Sequence, residues 1–257
     1  MPQAQSLVTV AALSAGAIIF SDRPHDLSPE RLALLRSIVP AIPRSATPVD
    51  LMSKEVPTQL SVTLQSTDLS LPAAAPIGQW WLFGLFNWQD RMGIPGGDDV
   101  SLRELIKAAS AGCYDCASAV TDLTNMPAGY HIFDFWMGKY DRLDNLPSSE
   151  VWSLPQVGPR CCSLLAVRSI SSDGSPQLVG TNVHASCGLE LTLWRFVPNE
   201  GKSITLDFAI RASHAFRAPR VWIYLPGAHV SSLSLRWHTH SDHRVGCSLV
   251  MLFVQCS

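Results

Sequence analysis

Two short stretches constrain the fold of this chain more than anything else in it. Trp80-Trp81-Leu82-Phe83-Gly84-Leu85-Phe86-Asn87-Trp88-Gln89-Asp90 is an aromatic and branched apolar run that stops in a polar tip. Tyr130-His131-Ile132-Phe133-Asp134-Phe135-Trp136-Met137-Gly138-Lys139-Tyr140 has the same character. Both suit the pleated, buried surface of a sheet. Alternation puts Phe133 and Phe135 on one face. Phe86, Phe133 and Phe135 are therefore expected in one core, with the two segments as neighbouring or facing strands. Trp81, out of phase with its neighbours, is free to face solvent.

The rest of the chain is consistent with a β-rich protein. Its 257 residues are 47% hydrophobic and 16% charged, enough for one large or two modest cores. Eighteen Pro and sixteen Gly supply many turns. A net charge of −2 offers no basic field for nucleic acid, so that partner is not expected. The apolar run Leu7 to Phe20 is shorter than the about 20 residues a membrane span needs, and it lacks the basic flank of a signal peptide; no membrane partner is expected. Seven Cys, an odd number with scattered spacing, reads as free core thiols rather than a disulfide framework.

Along the chain, residues 4–13 read as the tail of an apolar helix. Ala17-Ile18-Ile19-Phe20 reads as a short apolar strand of the kind a parallel sheet buries on both faces. Ser28 at the N-cap, Pro29 at N1 and Glu30 in the first turn start a helix running to about Val39, with Leu32, Leu34, Leu35 and Ile38 as its apolar side. Helix, strand, helix is the grammar of a closing α/β barrel. From residue 58 the pattern changes to short strands, at 59–64, 80–88, 116–121, 130–136, 150–154, 161–168, 177–181, 187–196, 202–211, 219–225, 232–237 and 246–255. The stretch 98–107 is ambiguous, because Leu102, Leu105, Ile106 and Ala109 have helical spacing.

Five segments in order resemble the C-terminal part of the alpha-galactosidase-like (melibiase-type) glycoside hydrolases. They are LSAGAIIFSDRPHDLSPERLALLRSIVP from Leu13, GLFNWQD from Gly84, YHIFDFWMGKY from Tyr130, GPRCCSLLAV from Gly158 and PQLVGTNVHASCGLEL from Pro176. The resemblance covers most of residues 10–195. It implies a mainly β fold: an antiparallel, Greek-key-like β-sandwich preceded by a remnant strand and helix of a (β/α)8 barrel. The expected division is 1–50 for the barrel remnant, 51–170 for the sandwich and 171–257 for a β-rich extension. It also implies a hydrolase of carbohydrate metabolism.

The departures from the family pattern bear on activity. A retaining glycosidase needs two carboxylates only about 5 Å apart. In the family both come from earlier barrel strands, and no residue here matches either. Asp22, at the end of the expected barrel strand, is where a barrel lines its active site, and it is the one candidate sugar-binding residue. No catalytic residue, metal ligand or cofactor is assigned. The expectation is a C-terminal fragment, inactive alone, whose carbohydrate partner depends on an upstream barrel. Two alternatives from other classes are a stand-alone carbohydrate-binding or protein-docking module and a small enzyme with a site of its own.

Other clusters carry less. His238-Thr239-His240-Ser241-Asp242-His243 could present two or three zinc ligands, but reads better as a polar turn. Cys113 and Cys116 have metal or redox spacing without a second pair. Trp80, Trp81, Trp88, Trp136 and Trp152 could stack on sugars, though core packing explains them. His184, between Gly-flanked ends, reads as a satisfied structural histidine. An Ala17–Phe20 strand without its barrel neighbours would have open edges, so residues 1–39 are expected either to dock their helix on the sandwich or to stay poorly anchored and self-associate, and deleting residues 1–45 is expected to improve solubility and leave the β-region folded.

Overall fold

The computed structural model describes residues 2–19, 21, 23–65, 78–95, 102–111, 129–144, 155–172, 175–189, 191–198, 204–210, 220–225, 233–238 and 251–256. Within them the chain is mainly antiparallel β with few helices. Helices α1 (Pro2–Leu13) and α2 (Pro29–Arg36) come first, with one 3-10 turn at Pro24–Asp26 between them. Strands β1 (Thr47–Pro48), β2 (Gln59–Gln65) and β3 (Gln79–Phe86) lead to helix α3 (Leu102–Ala111). Then follow β4 (Gly129–Asp134), β5 (Lys139–Asp144), β6 (Cys162–Ser169), β7 (Gln177–Thr181), β8 (Leu191–Pro198), β9 (Ile204–Ile210), β10 (Arg220–Leu225), β11 (Leu233–His238) and β12 (Met251–Cys256).

The central element is a six-stranded antiparallel sheet in the order β1-β2-β3-β6-β4-β5. Two three-stranded sheets accompany it, β12-β10-β7 and β11-β9-β8, in which β10 with β12 and β9 with β11 pair in parallel. The two aromatic stretches become β3 and β4. They are not adjacent: β6 lies between them and pairs with both.

The central sheet is buried on both faces, so its strands read as continuous apolar runs rather than alternating ones. On the first face, Trp80, Leu82, Phe86, Leu164, Ala166, Phe133 and Phe135 meet three covers: α1 through Val8, Ala12 and Leu13, the α2 region through Leu34, Ile38 and Ile42, and β7 and β10 through Val179, Trp222 and Tyr224. On the second face, Trp81, Phe83, Leu85, Ile132, Leu165 and Val167 meet Leu102, Leu105, Ile106 and Ala109 of α3. The helical reading of the ambiguous 98–107 stretch therefore prevails, its apolar side filling this second face. Trp81 does not face solvent; at 7% exposure it packs under α3, edge-on to Tyr130. Thr63 on β2 donates its hydroxyl to the Ala109 carbonyl at 3.0 Å, closing one end of α3.

Close approach of α1 to the sheet depends on Gly84. A Cβ there would collide with the Leu13 side chain and the Phe86 ring. The same is true of Gly180 on β7, where a Cβ would run into the Phe133 ring. Both glycines let a second layer sit directly on the sheet.

The N-terminal region differs from expectation. Helix α2 begins as expected, with the Ser28 side chain accepting from the Arg31 amide and Pro29 at N1, but it ends at Arg36. Ala17–Ile19 form no strand, and Ile19 is 85% exposed. An apolar strand needs neighbours for its ladder, and the nearby sheet edge is instead taken by β1 on β2. The open-edged strand through which self-association was expected is therefore not formed at those residues. Core residues of the first face come from all three of the stretches 1–50, 51–170 and 171–257.

The polar tip after β3 is organised by Asn87. Its Nδ2 donates to the carbonyls of Arg91 at 2.7 Å, Val157 at 2.8 Å and Gly158 at 3.1 Å, and its Oδ1 accepts from the Gln89 amide. The β1–β2 connection is organised by Asp50, whose buried carboxylate accepts from the Thr58 and Gln59 amides and from the Thr58 hydroxyl. Asp50→Ala would strand those two amides. The expected cost is about 1–3 kcal/mol, read as a lowered urea midpoint with unchanged slope.

Candidate functional site

A polar constellation that joins two sheets lies where the β4–β5 hairpin meets β7 and β10. Alternation along β4 aims His131 the same way as Phe133, toward the second sheet. The turn 135–138 reverses the chain with Gly138 at φ +60, a left-handed conformation that glycine adopts without strain. Register then places Arg142 opposite His131 and Tyr140 opposite Phe133. From β10, Trp222 covers Phe133 with ring centroids 4.5 Å apart, and Tyr224 covers His131 at 4.6 Å.

Gln177, the first residue of β7, fixes the histidine tautomer. Its Nε2 donates to the Ser169 carbonyl at 2.8 Å, and its Oε1 accepts from the Ser171 amide at 2.8 Å. Oε1 also faces His131 Nε2 at 3.1 Å, so Nε2 carries the proton and donates. Nδ1 is then an acceptor, and the Tyr140 hydroxyl donates to it at 3.0 Å. Beside this chain, Arg142 donates to the Tyr224 hydroxyl at 2.8 Å and to Asp144 at 2.7 Å, its guanidinium 4.9 Å over the Tyr224 ring.

Burial sets the electrostatics here. It lowers His131 to about 4, with the Arg142 and Arg168 guanidiniums pushing the same way and the Gln177 bond opposing. It raises Tyr140 to about 12, against the pull of Arg142. A neutral histidine and a neutral tyrosine thus persist across the physiological range. Neither is poised as a general base near neutral pH. The array joins two sheets by hydrogen bonds.

The residues singled out from sequence are scattered through the molecule. Asp22, His240, Asp242, His243, Cys113, Cys116 and Trp152 lie outside the described residues, as does the side chain of His238. Trp80 is fully buried, donating from Nε1 to the Ser186 carbonyl at 2.9 Å with the Arg168 guanidinium 4.3 Å over its ring. Trp88 stacks on Phe86 and donates to the Pro57 carbonyl; Trp136 donates to the Thr9 hydroxyl. Trp80 and Trp81 point to opposite faces. These tryptophans pack the protein and do not assemble into a shared stacking platform. Cys161, Cys162 and Cys187 are free thiols, and burial pushes Cys162 up to about 11. Among the described residues no group of three or more His, Cys, Asp or Glu could hold a metal ion, and no helix is long and apolar enough to cross a membrane.

His184 is satisfied at both nitrogens. Nε2 donates to the Pro40 carbonyl at 2.8 Å, and Nδ1 accepts from the Ser186 amide at 3.1 Å and meets the Ser186 hydroxyl at 2.8 Å. Burial lowers it to about 4. The half-buried Asp134 carboxylate accepts from the Ser163 hydroxyl and the Met137 amide; desolvation nevertheless raises its pKa.

The chain matches no family model and no curated protein.

The His131 array went unforeseen, although a signal for it exists. His131 is in phase with Phe133 and Phe135, so a reading that buried those two phenylalanines also buried the histidine between β4 neighbours, and a buried imidazole requires partners. The partners themselves come from long-range contacts that the sequence does not reveal.

Proposed function

We propose that this chain is the C-terminal β-region of a glycoside hydrolase resembling the alpha-galactosidases, and that it does not hydrolyse glycosides by itself. Its role in that reading is to support a catalytic barrel supplied by other sequence. The observation that carries the proposal is the correspondence between four of the five ordered segments of the resemblance and mutually packed elements in the same order; the first segment supplies α2 but not the barrel strand. GLFNWQD closes β3, YHIFDFWMGKY is the start of the β4–β5 hairpin, GPRCCSLLAV enters β6, and PQLVGTNVHASCGLEL is β7 with the loop that bonds to Ser37 and Pro40 just after α2. A Greek-key-like sandwich is the arrangement the family pattern implies for these strands, with β7 and β10 as the second layer facing β4.

Three of the described carboxylates are also tied up within the fold. Asp50 and Asp134 are committed to hydrogen bonds within the fold, and Asp90 is held by Arg160 on the surface through two hydrogen bonds of 2.7 and 3.1 Å. Sequencing the transcript 5′ of the Met1 codon tests the proposal. An in-frame barrel carrying two strand-end aspartates is the expected result. An in-frame stop there, together with measurable binding of galactosides by the chain alone, would replace it with the stand-alone carbohydrate-binding module.

A further inference from the structure

The segment running from β7 through the following loop lies across the first face of the central sheet, and two histidines fasten it. At its start, Gln177 Oε1 accepts a hydrogen bond from His131 Nε2. Beyond β7, His184 of the segment itself donates to the Pro40 carbonyl. Both imidazoles are buried, and both use Nδ1 as an acceptor. We propose that Gln177–Leu189 is an acid-releasable strap, held closed by the neutral tautomers of His131 and His184 and opened when both gain a proton.

The geometry says why protonation opposes the closed form. A proton on His184 Nδ1 would face the Ser186 amide hydrogen, turning an N–H···N bond into a contact between two donors. A proton on His131 Nδ1 would force the Tyr140 hydroxyl hydrogen to turn away. It would also add a cation where two already stand. His131 is faced by Tyr140, Arg142 and Asp144 of β5, Arg168 of β6, Gln177 of β7 and Tyr224 of β10, so one carboxylate confronts two guanidiniums. Around His184 stand Ser186 and the backbone of Ile38 and Pro40.

The sign follows from linkage. Each histidine has a lower pKa closed than open, so the open strap binds more protons, and closure weakens as pH falls from about 6.5 toward about 4. At pH 5 each group raises the opening constant by roughly 30-fold, and the two multiply to several hundred-fold. Asp134 has a raised pKa and acts in the opposite sense, so it does not produce the effect.

Native-state hydrogen exchange of the full chain between pH 7.5 and 4.5, corrected for intrinsic rates, tests the strap. The Ala185 amide, which donates to the Ser37 carbonyl at 2.7 Å, reports its closure. The expected result is an Ala185 opening constant that rises by about two orders of magnitude or more by pH 5, while amides within Leu82–Leu85 and Leu164–Val167 hold their protection better. An Ala185 opening constant that does not change with pH, or one that changes in parallel with the central sheet, overturns the proposal. His131→Gln and His184→Gln each keep a donor near the Nε2 position and remove the titration. Each is expected to flatten the pH dependence by about 30-fold, and retention of the full dependence in both variants also overturns it.

Discussion

Deleting residues 1–45 is expected to abolish cooperative unfolding. The deletion removes Val8, Ala12, Leu13, Leu34, Ile38 and Ile42, all buried in the core of the first face. Full burial of a large apolar side chain stabilises by about 1.5–3 kcal/mol, so their sum is comparable with the whole 5–15 kcal/mol stability of an ordinary domain. The deletion also takes away the Pro40 carbonyl that accepts from His184, the Ser37 carbonyl that accepts from the Ala185 amide, and the Thr9 hydroxyl that accepts from Trp136. What is left exposes Leu82, Phe86 and Leu164 to water. Thermal melting followed by near-ultraviolet circular dichroism checks this. A deletion variant with an intact sharp transition would mean that α1 and α2 merely rest on a self-sufficient sheet.

The second large effect is at the contact between the two sheets. Phe133 is fully buried beneath Trp222 and Gly180. Phe133→Ala leaves a cavity that neither backbone can fill, at an expected cost of about 3–5 kcal/mol. Gly180→Ala places a methyl into the Phe133 ring and is expected to cost about 1–3 kcal/mol by overpacking. The two are coupled through the same space. In the double variant the new methyl enters the vacated volume, so the combined cost should fall below the sum of the single costs by 0.5 kcal/mol or more. Urea unfolding of the four proteins in the cycle measures this; strict additivity would place the two residues out of contact.

How far the sequence could be read depends on where each element draws its stability. Strands β3, β4 and β6 were legible because a sheet buried on both faces must be apolar at nearly every position. Helix α3 was half legible: Leu102, Leu105, Ile106 and Ala109 have helical spacing, but the same stretch also suits a strand, and only the second face of the sheet that this stripe fills decides between them. Strand β5 escaped notice because Lys139-Tyr140-Asp141-Arg142-Leu143-Asp144 is a charged edge strand, with a polar outer surface that discourages further pairing. Its position comes from the tight turn at Gly138 and from pairing with β4, not from an apolar pattern. Ala17–Ile19 failed in the opposite way. Its composition suits a strand, but local apolarity supplies no partner for its amides and carbonyls. The His131 array was half legible: burial follows from phase with Phe133, whereas Gln177 and Tyr224 reach it only through the register of β7 and β10.

Incubating the purified chain, shown to be folded by a cooperative melt, with 4-nitrophenyl alpha-galactoside addresses the functional proposal most directly. A β-region lacking the carboxylate pair should release no nitrophenolate above the buffer rate. Release that is abolished by Asp22→Asn would contradict this, and would make Asp22 the centre of an active site that the chain carries by itself.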